Sequence, residues 1–252
     1  IGKSNNIQKR VRNHLMGSSR KSMKIQKNIH KVNFETTGSE LIALLKEQHE
    51  IKKNQPRLNK DGRYRLYPMG IRIDKEKIYH QLVLEQVRNE RKYIIVLKNA
   101  KIAKNILHKW ITNNKLCLHQ CSTKETDSPC FAYKNDQCNG SCIKEENAQE
   151  YNQRVAQLAN QSDYPHPHFL LIGKGRKNGE SSFIYIQDQV YRGYGFFELN
   201  HQIKTPEKIL SRTTSMEDNT DCRALILSFI KREKYIKLIP LISTSISESQ
   251  IK

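Results

Sequence analysis

Two stretches near the start of the chain decide its fold: IGKSNNIQKRVRNHL at residues 1–15 and ETTGSELIALLKEQHEIKKNQPRLN at residues 35–59. In the first stretch apolar side chains recur at helical spacing, at Ile7, Val11 and Leu15. This spacing predicts a helix from Ser4 to Met16, whose first backbone N–H groups can be capped by Ser4 or by the asparagines that follow it.

The second stretch predicts a longer helix that begins at a capping box. In this box Thr37 would accept a hydrogen bond from a backbone N–H group while Glu40 reaches back to another. Apolar side chains then line one face of the helix, at Leu41, Leu44, Leu45 and Ile51. Pro56 sets the end of the helix, because a residue before proline avoids the helical conformation.

The segment between the two helices predicts a short basic loop at residues 18–24 (SSRKSMK) and a strand at residues 29–36. Two helices and a strand of this length form a compact α/β unit, which we place at residues 1–62.

The rest of the chain divides into three further segments. Residues 63–115 predict a small α/β unit, with strands near Gly70–Ile73 and Tyr93–Leu97 and a helix that starts at Asn99. Residues 116–160 hold a cysteine-rich stretch and a polar helix. After the linker QSDYPHPH, residues 166–245 predict an α+β domain: three strands, then a helix at Asp221–Arg232 and a closing strand, YIKLIPL.

The charge of the chain indicates a polyanionic partner. The formal net charge is +19, and residues 1–60 hold 14 Lys or Arg against 4 Asp or Glu. Such an imbalance is typical of nucleic-acid binding. No apolar run is long enough to span a membrane, and the first residues lack the apolar core of a signal peptide. We therefore expect a DNA-binding protein of the cytoplasm rather than a membrane protein.

The two opening stretches resemble the GIY-YIG endonuclease domain of the UvrC and Cho excinucleases. The resemblance rests on an Ile-Gly-Lys start, on Arg10 seven residues after Lys3, and on Glu47 twelve residues before Asn59 in a Q-P-R-x-N tail. It implies an α/β nuclease domain that is followed by the small α/β unit, the cysteine-rich segment and the α+β domain.

The resemblance also assigns roles to single residues. Arg10 matches the catalytic arginine that stabilises charge on the phosphate, and Glu47 matches the only protein ligand of a Mg²⁺ or Mn²⁺ ion. Lys3 and His14 lie where the family places side chains near the scissile phosphate, and Asn59 closes the motif. Five basic residues are expected to contact DNA: Lys9, Arg12, Arg20, Lys21 and Lys24.

The GIY strand and the tyrosine that should precede Ile1 are not in the sequence. We therefore expect a part of a longer protein, and we expect this part alone to bind DNA but to nick it poorly. Relatives with this arrangement are often fused to a 3′–5′ exonuclease similar to the polymerase III epsilon subunit, which is one alternative. A non-catalytic DNA-binding module is another.

Five of the six cysteines lie between positions 117 and 142, which favours a metal or cluster site in a chain without an export signal. Cys130, Cys138 and Cys142 form C-x7-C-x3-C, and Cys117 lies thirteen residues before Cys130. The segment resembles the region of UvrC that is associated with a 4Fe–4S cluster. Four thiolates also suit Zn²⁺, and Cys121 competes with Cys117 as the fourth ligand.

The resemblance as a whole implies a function in nucleotide excision repair and the SOS response. A protein of this kind nicks one strand of damaged double-stranded DNA beside the lesion, on a complex prepared by UvrA and UvrB. The chain is closer to the single-cut Cho type, because the hundred or so residues after the linker cannot hold the further domains of UvrC.

Overall fold

The computed structural model describes residues 1–59, 66–88, 90–121, 128–159, 163–198 and 206–241. Two compact units make up the chain. The first contains residues 1–64 together with residues 166–252, and the second contains residues 65–165. The predicted boundary between residues 62 and 63, and the end of the predicted C-terminal domain at 242–245, lie outside the described residues.

Three helices form the N-terminal part of the first unit: α1 (Ile7–Met16), α2 (Arg20–Asn28) and α3 (Glu40–Asn54). Helix α1 is as predicted, and its cap is Asn6, whose side-chain oxygen accepts from the backbone N–H of Lys9 at 2.8 Å. The predicted loop at residues 18–24 is wrong. The hydroxyl of Ser19 accepts from the N–H of Ser22 at 3.0 Å, and this local cap starts α2 where we expected a loop.

The predicted strand at residues 29–36 is also wrong, since none of these residues is in a strand. A strand needs a neighbour for its N–H and C=O groups, and residues 1–59 contain no other strand with which it could pair. Two apolar side chains of the segment, Val32 and Phe34, are exposed.

Helix α3 follows the prediction except at its start. The cap residue is Ser39, which makes no side-chain capping bond, so the predicted capping box of Thr37 and Glu40 does not form. The buried face consists of Leu41, Ile42, Leu45, Gln48 and Ile51. The helix ends at Asn54, two residues before Pro56, as expected.

The second unit is built on a three-stranded antiparallel sheet. Its strands are β1 (Met69–Asp74), β2 (Gln81–Gln86) and β3 (Ile95–Leu97), in the order β2-β1-β3. Helix α4 (Ala100–Asn113) follows and is capped by Asn99, as predicted.

The cysteine-rich segment continues the second unit with the short helix α5 (Phe131–Lys134), a 3₁₀ turn (Ser141–Ile143) and helix α6 (Ala148–Ala159). The core joins strand residues such as Ile71 and Leu82 to Tyr151 and Val155 of α6. Three cysteines belong to this core: Cys117, Cys130 and Cys138.

The C-terminal part of the first unit is a five-stranded antiparallel sheet with two helices. In chain order its elements are β4 (Phe169–Lys174), β5 (Glu180–Gln187), β6 (Val190–Glu198), α7 (Pro206–Leu210), β7 (Thr214–Ser215), α8 (Thr220–Lys231) and β8 (Lys237–Pro240). The strand order is β7-β6-β5-β4-β8. The predicted three strands, helix and closing strand are all present.

The two parts of the first unit meet closely at Gly38, just before α3. Gly38 has a φ of +65°, and a Cβ there would lie 2.1 Å from the carbonyl oxygen of Gly175 at the end of β4. Only glycine fits such an approach. Helix α3 therefore begins directly against the C-terminal sheet.

The predicted mixed class of helices and sheets is confirmed. Among the described helices, none combines the length and the hydrophobicity that crossing a bilayer requires.

Candidate functional site

Glu47 lies in the middle of α3 and contacts the start of the chain. Its Oε1 accepts a hydrogen bond of 3.1 Å from the backbone N–H of Lys3, across 44 residues of sequence. The side chain is not deeply buried, and its second oxygen accepts no hydrogen bond from the described residues. One carboxylate oxygen is thus positioned by the backbone while the other stays available.

Arg10 of α1 lies against the same short segment. A Cβ on Gly2 would come within 2.8 Å of Arg10 Nη2 and 3.3 Å of Nε, so the guanidinium packs directly over this glycine. Through residues 2 and 3 the structure therefore brings Arg10 and Glu47 to one corner of the first unit.

His14 follows Arg10 by one helical turn and is half-buried. The pKa of His14 is lowered from its ordinary value, first by burial and then by the positive charges of Arg10 and Lys21. The imidazole is therefore neutral at neutral pH and can accept a hydrogen bond or a proton.

The side chain of Lys3 has a partner that the sequence did not indicate. Its Nζ lies 2.5 Å from Oε1 of Glu40, at the start of α3. This hydrogen bond is the main reason that the pKa of Glu40 is lowered. The sequence predicts a capping role for Glu40 instead, because a surface glutamate carries no sequence signal for a partner 37 residues away.

Asn59 holds the first residue in place. Its Nδ2 donates to the carbonyl oxygen of Ile1 at 2.7 Å, and the nitrogen of Ile1 donates to Asn59 Oδ1 at 3.1 Å. The Q-P-R-x-N tail thus returns to the Ile-Gly-Lys start and fixes the segment that carries the contacts to Glu47 and Arg10.

A shallow groove opens at this corner, and no acidic side chain lines it. Its walls are formed by Lys3, Ser4, Asn5, Asn6, Lys9, Arg10 and Asn13. The other basic residues predicted to contact DNA lie on α1 and α2 and are exposed: Arg12, Arg20, Lys21 and Lys24. Neither these four nor Lys9 forms an ion pair with a described residue. Their charges remain available to an anion.

In the second unit four cysteines converge. The sulfur atoms of Cys117, Cys130, Cys138 and Cys142 all lie within 4.8 Å of one another, and those of Cys117 and Cys130 are 3.8 Å apart. Backbone N–H groups donate to three of the sulfurs: from Tyr133 to Cys130 at 3.3 Å, from Cys130 to Cys142 at 3.4 Å and from Gly140 to Cys138 at 3.5 Å. Such N–H groups favour thiolates.

The two remaining cysteines lie outside this group. Cys121 is 3.9 Å from the hydroxyl of Tyr151. Cys222, in the first unit, is buried beside Gln48, and burial raises its pKa to about 12. Of the two cysteines considered as the fourth member, the structure brings Cys117 to the other three.

Comparison with known proteins finds two family matches. Residues 1–60 match the family described as the UvrC-like GIY-YIG domain, and residues 68–161 match the UvrC/Cho excinuclease middle domain. No solved structure matches.

The curated relatives carry the name UvrABC system protein C. That of Borrelia garinii subsp. bavariensis is 33% identical over 156 residues, which cover 60% of this chain and 25% of the relative. That of Borreliella burgdorferi is 32% identical over 160 residues (62% and 26%), and that of Fusobacterium nucleatum is 30% identical over 171 residues (63% and 28%). The chain therefore spans about a quarter of the length of these relatives. With both families matched in the same order, the chain belongs, over residues 1–161, to the UvrC-type GIY-YIG excinucleases.

Proposed function

We propose that the chain is the nuclease-bearing part of a DNA endonuclease that hydrolyses one phosphodiester bond with a single divalent ion, Mg²⁺ or Mn²⁺. The observation that carries the proposal is the corner where Glu47 and Arg10 meet residues 2 and 3. The Glu47 carboxylate, which contacts Lys3 at the edge of this basic groove, suits one hard cation that is shared with a phosphate.

Glu47 would hold the ion through the oxygen that the Lys3 N–H group does not occupy. When bound, the ion supplies positive charge beside the phosphate and eases deprotonation of the attacking water. Arg10 donates to the phosphate oxygens and stabilises the charge that grows on them in the transition state. The neutral imidazole of His14 can accept a proton or orient a hydrogen-bond donor beside Arg10.

Lys3 has a different part in this scheme from the one that its position in the motif implied. Its backbone positions Glu47, while its ammonium group is held by Glu40. A phosphate that approaches the site would replace Glu40 as the partner of the Lys3 ammonium group. Asn59 contributes by fixing residue 1.

The exposed basic residues of α1 and α2 bind the DNA backbone in this proposal. Each Lys or Arg that neutralises a phosphate releases condensed counterions, so five such contacts give a salt-dependence slope of about −4 to −5. The name of the relatives refers to the UvrABC system. We therefore propose that the substrate is a lesion-bearing duplex prepared by UvrA- and UvrB-type proteins, and that the nick leaves a 3′ hydroxyl and a 5′ phosphate.

The four cysteines hold one metal centre in this proposal, and two identities have support. A 2.3 Å metal–sulfur bond in a tetrahedron gives sulfur–sulfur distances of about 3.8 Å, and the 3.8 Å between Cys117 and Cys130 fits a single Zn²⁺ ion. The family resemblance favours a 4Fe–4S cluster, whose thiolates must stand further apart. Absorbance near roughly 400 nm after anaerobic purification would identify the cluster, and zinc at one equivalent without this absorbance would identify Zn²⁺.

The activity is tested with an end-labelled duplex that carries one lesion. The chain, with a GIY strand of the family joined before Ile1, is incubated with Mg²⁺ or with EDTA, in the presence of UvrA and UvrB. We expect a nick on one strand with Mg²⁺ only, and loss of the nick in Arg10→Ala at unchanged DNA affinity within about threefold. Binding without any nick would favour the non-catalytic DNA-binding module.

A further inference from the structure

Helix α4 of the second unit presents a basic face that neither the sequence motifs nor the proposed nuclease site uses. The chain contains no Asp or Glu between Glu90 and Glu125, while Lys and Arg occur eight times in that interval. Surface helices normally mix the two signs of charge. A helix inside an acid-free interval of this length is therefore unusual in a soluble unit.

The structure separates the two faces of α4. The core side carries Ala103 and Ile111, which are buried, with Leu107 and Trp110 packed against the same cluster. The opposite side carries exposed residues at positions i, i+3, i+4 and i+7, which share one face: Lys101, Lys104, Asn105 and His108. Lys109 is also exposed, and Lys98 lies just before the helix.

The charges of this face have no partners among the described residues. The side chains of Lys101, Lys104 and Lys109 form no ion pair and no hydrogen bond with any described residue. Three acidic residues of the same unit are paired with arginines instead: Asp74 with Arg72, Glu85 with Arg91, and Glu146 with Arg154. The lysines of α4 are thus free to bind an anion from outside the unit.

We infer that the exposed face of α4 binds the phosphate backbone of DNA, as a contact surface separate from the groove at Arg10 and Glu47. Lysines at helical spacing match phosphates as point charges, and the Asn99-capped helix start adds partial positive charge on the same element. This inference rests on the proposed function only in taking DNA as the polyanion.

A lipid surface fits the helix less well. Amphipathic helices bind membranes by inserting an apolar face, and the apolar face of α4 is already packed in the core of its own unit. An acidic protein would also satisfy the lysines. It would not produce the steep salt dependence that counterion release from DNA produces.

The test compares double variants of the full 252-residue chain on a fluorescent duplex of about thirty base pairs at several salt concentrations. Lys101→Gln/Lys104→Gln removes two charges from the α4 face. Lys75→Gln/Lys134→Gln is the matched control, since both lysines are exposed in the same unit and have an acidic residue within two positions in the sequence. Lys21→Gln/Lys24→Gln reports on the surface of α1 and α2.

For the α4 variant we expect the salt slope to fall by about two and the affinity at low salt to fall about tenfold or more, with unchanged thermal unfolding. The matched control should keep the affinity of the parent within about twofold. DNA should also slow acetylation of Lys101 and Lys104 in the parent.

Loss of affinity in Lys21→Gln/Lys24→Gln alone, with the α4 variant equal to the matched control, would overturn this inference and leave the proposed function standing. Equal losses in the α4 variant and the matched control would also overturn it, because only net charge would then matter. If the parent itself bound no duplex, the proposed function would fail as well. Binding to anionic vesicles but not to DNA would assign the face to lipid.

Discussion

At Gly2 a single hydrogen in place of a side chain lets the guanidinium of Arg10 lie over the backbone. The nearest contact of an added Cβ would be the far end of a flexible side chain, which can move at little cost. A side chain at position 2 can therefore move the Arg10 guanidinium without lowering the stability of the fold. We predict that Gly2→Ala leaves the melting temperature unchanged but lowers the nicking rate about tenfold or more, because Arg10 is displaced from the phosphate.

Single-turnover nicking and thermal unfolding of the same preparations, with the GIY strand joined before Ile1, check this prediction. Ser18→Ala, an exposed position outside the groove, is the control and should change neither quantity. Normal nicking by Gly2→Ala would show that the position of Arg10 over residue 2 is irrelevant to the chemistry.

His14 supplies a prediction that depends on pH. Burial, Arg10 and Lys21 lower its pKa, so the folded chain binds the proton more weakly than the unfolded chain. Stability is then lost as the pH falls through the unfolded value of about 6.5. We expect the melting temperature of His14→Gln to drop less than that of the parent between about pH 8 and about pH 5.5.

Differential scanning calorimetry at the two pH values measures this difference. His30→Gln, which removes an exposed histidine of the same unit, should show the full drop of the parent. The same drop in His14→Gln would mean that the environment of His14 does not repel the proton.

The sequence could indicate that Arg10, Glu47 and Asn59 lie near one another because their spacing is a joint pattern, although each residue alone is unremarkable. What could not be predicted is the local geometry. That Lys3 contributes its backbone to Glu47 and its side chain to Glu40 depends on contacts about forty residues apart, and no periodicity encodes them. The lysines of α4 belong to no motif, and the burial of Ala103 and Ile111 is what shows that they share the exposed face of the helix.

Helix α3 packs against helix α8. Lys52 of α3 pairs at 2.9 Å with Asp221, a fully buried carboxylate at the start of α8, and the Sγ of Cys222 lies 3.7 Å from Gln48. Asn219 rather than an aspartate caps α8. The helix that carries Glu47 is thus fixed to α8 by a charge pair and packing.

This arrangement predicts different costs for two lysines of the same helix. Lys52→Met removes an ion pair from the buried carboxylate of Asp221 and should lower the free energy of unfolding by about 2 kcal/mol or more. Lys46→Met removes a pair with Glu35, whose side chain is 57% exposed, and should cost less than about 1 kcal/mol. Urea unfolding of both variants measures the difference, and equal costs would contradict it.

Elements with local signals were predicted well, and those that depend on distant partners were not. Helices α1, α4 and α8 combine an apolar stripe with an asparagine or other polar cap, and the strands β4–β6 alternate or run apolar between clear turns. The strand expected at residues 29–36 had suitable residues but no neighbour within residues 1–59. Helix α2 is basic and nearly without apolar residues, so only the cap at Ser19 could have indicated it.

The first unit of the molecule is discontinuous in sequence: residues 1–64 fold with residues 166–252. Residues 65–165, which lie between them in the sequence, form a unit of their own. The sequence predicted the segments in chain order but not this association. The contact between Lys52 and Asp221 joins residues 169 positions apart, and the spacing of neighbouring residues in the sequence does not predict such contacts. The C-terminal α+β segment, to which the sequence assigned no chemistry, thereby supports the helix that carries Glu47.

The division into two units predicts what metal removal does. Cys117, Cys130 and Cys138 belong to the core of the second unit, so the metal centre and this core stabilise each other. Chelation or Cys138→Ser should lower amide-exchange protection in α6 and β1 by about tenfold or more. Protection in β4, β5 and β6 of the first unit should not change.

Hydrogen exchange followed by mass spectrometry resolves the two units. Cys222→Ser, which alters a buried cysteine outside the cluster, should leave α6 and β1 protected. Uniform loss across both units, or no loss in either, would contradict a metal centre that is integral to the second core.

We propose that Glu47 is the one carboxylate of a metal-dependent nuclease site, and a comparison of Glu47→Gln with Glu50→Gln tests this role. The second variant removes a charge from the same helix at a position that contacts Asn54 rather than residues 1–3. Both are assayed for DNA affinity and for Mg²⁺-dependent nicking of the lesion duplex, with the GIY strand joined before Ile1. We predict that Glu47→Gln keeps its affinity within about threefold and loses nicking by about a thousandfold, while Glu50→Gln matches the parent. Equal nicking by the parent and Glu47→Gln would contradict the account.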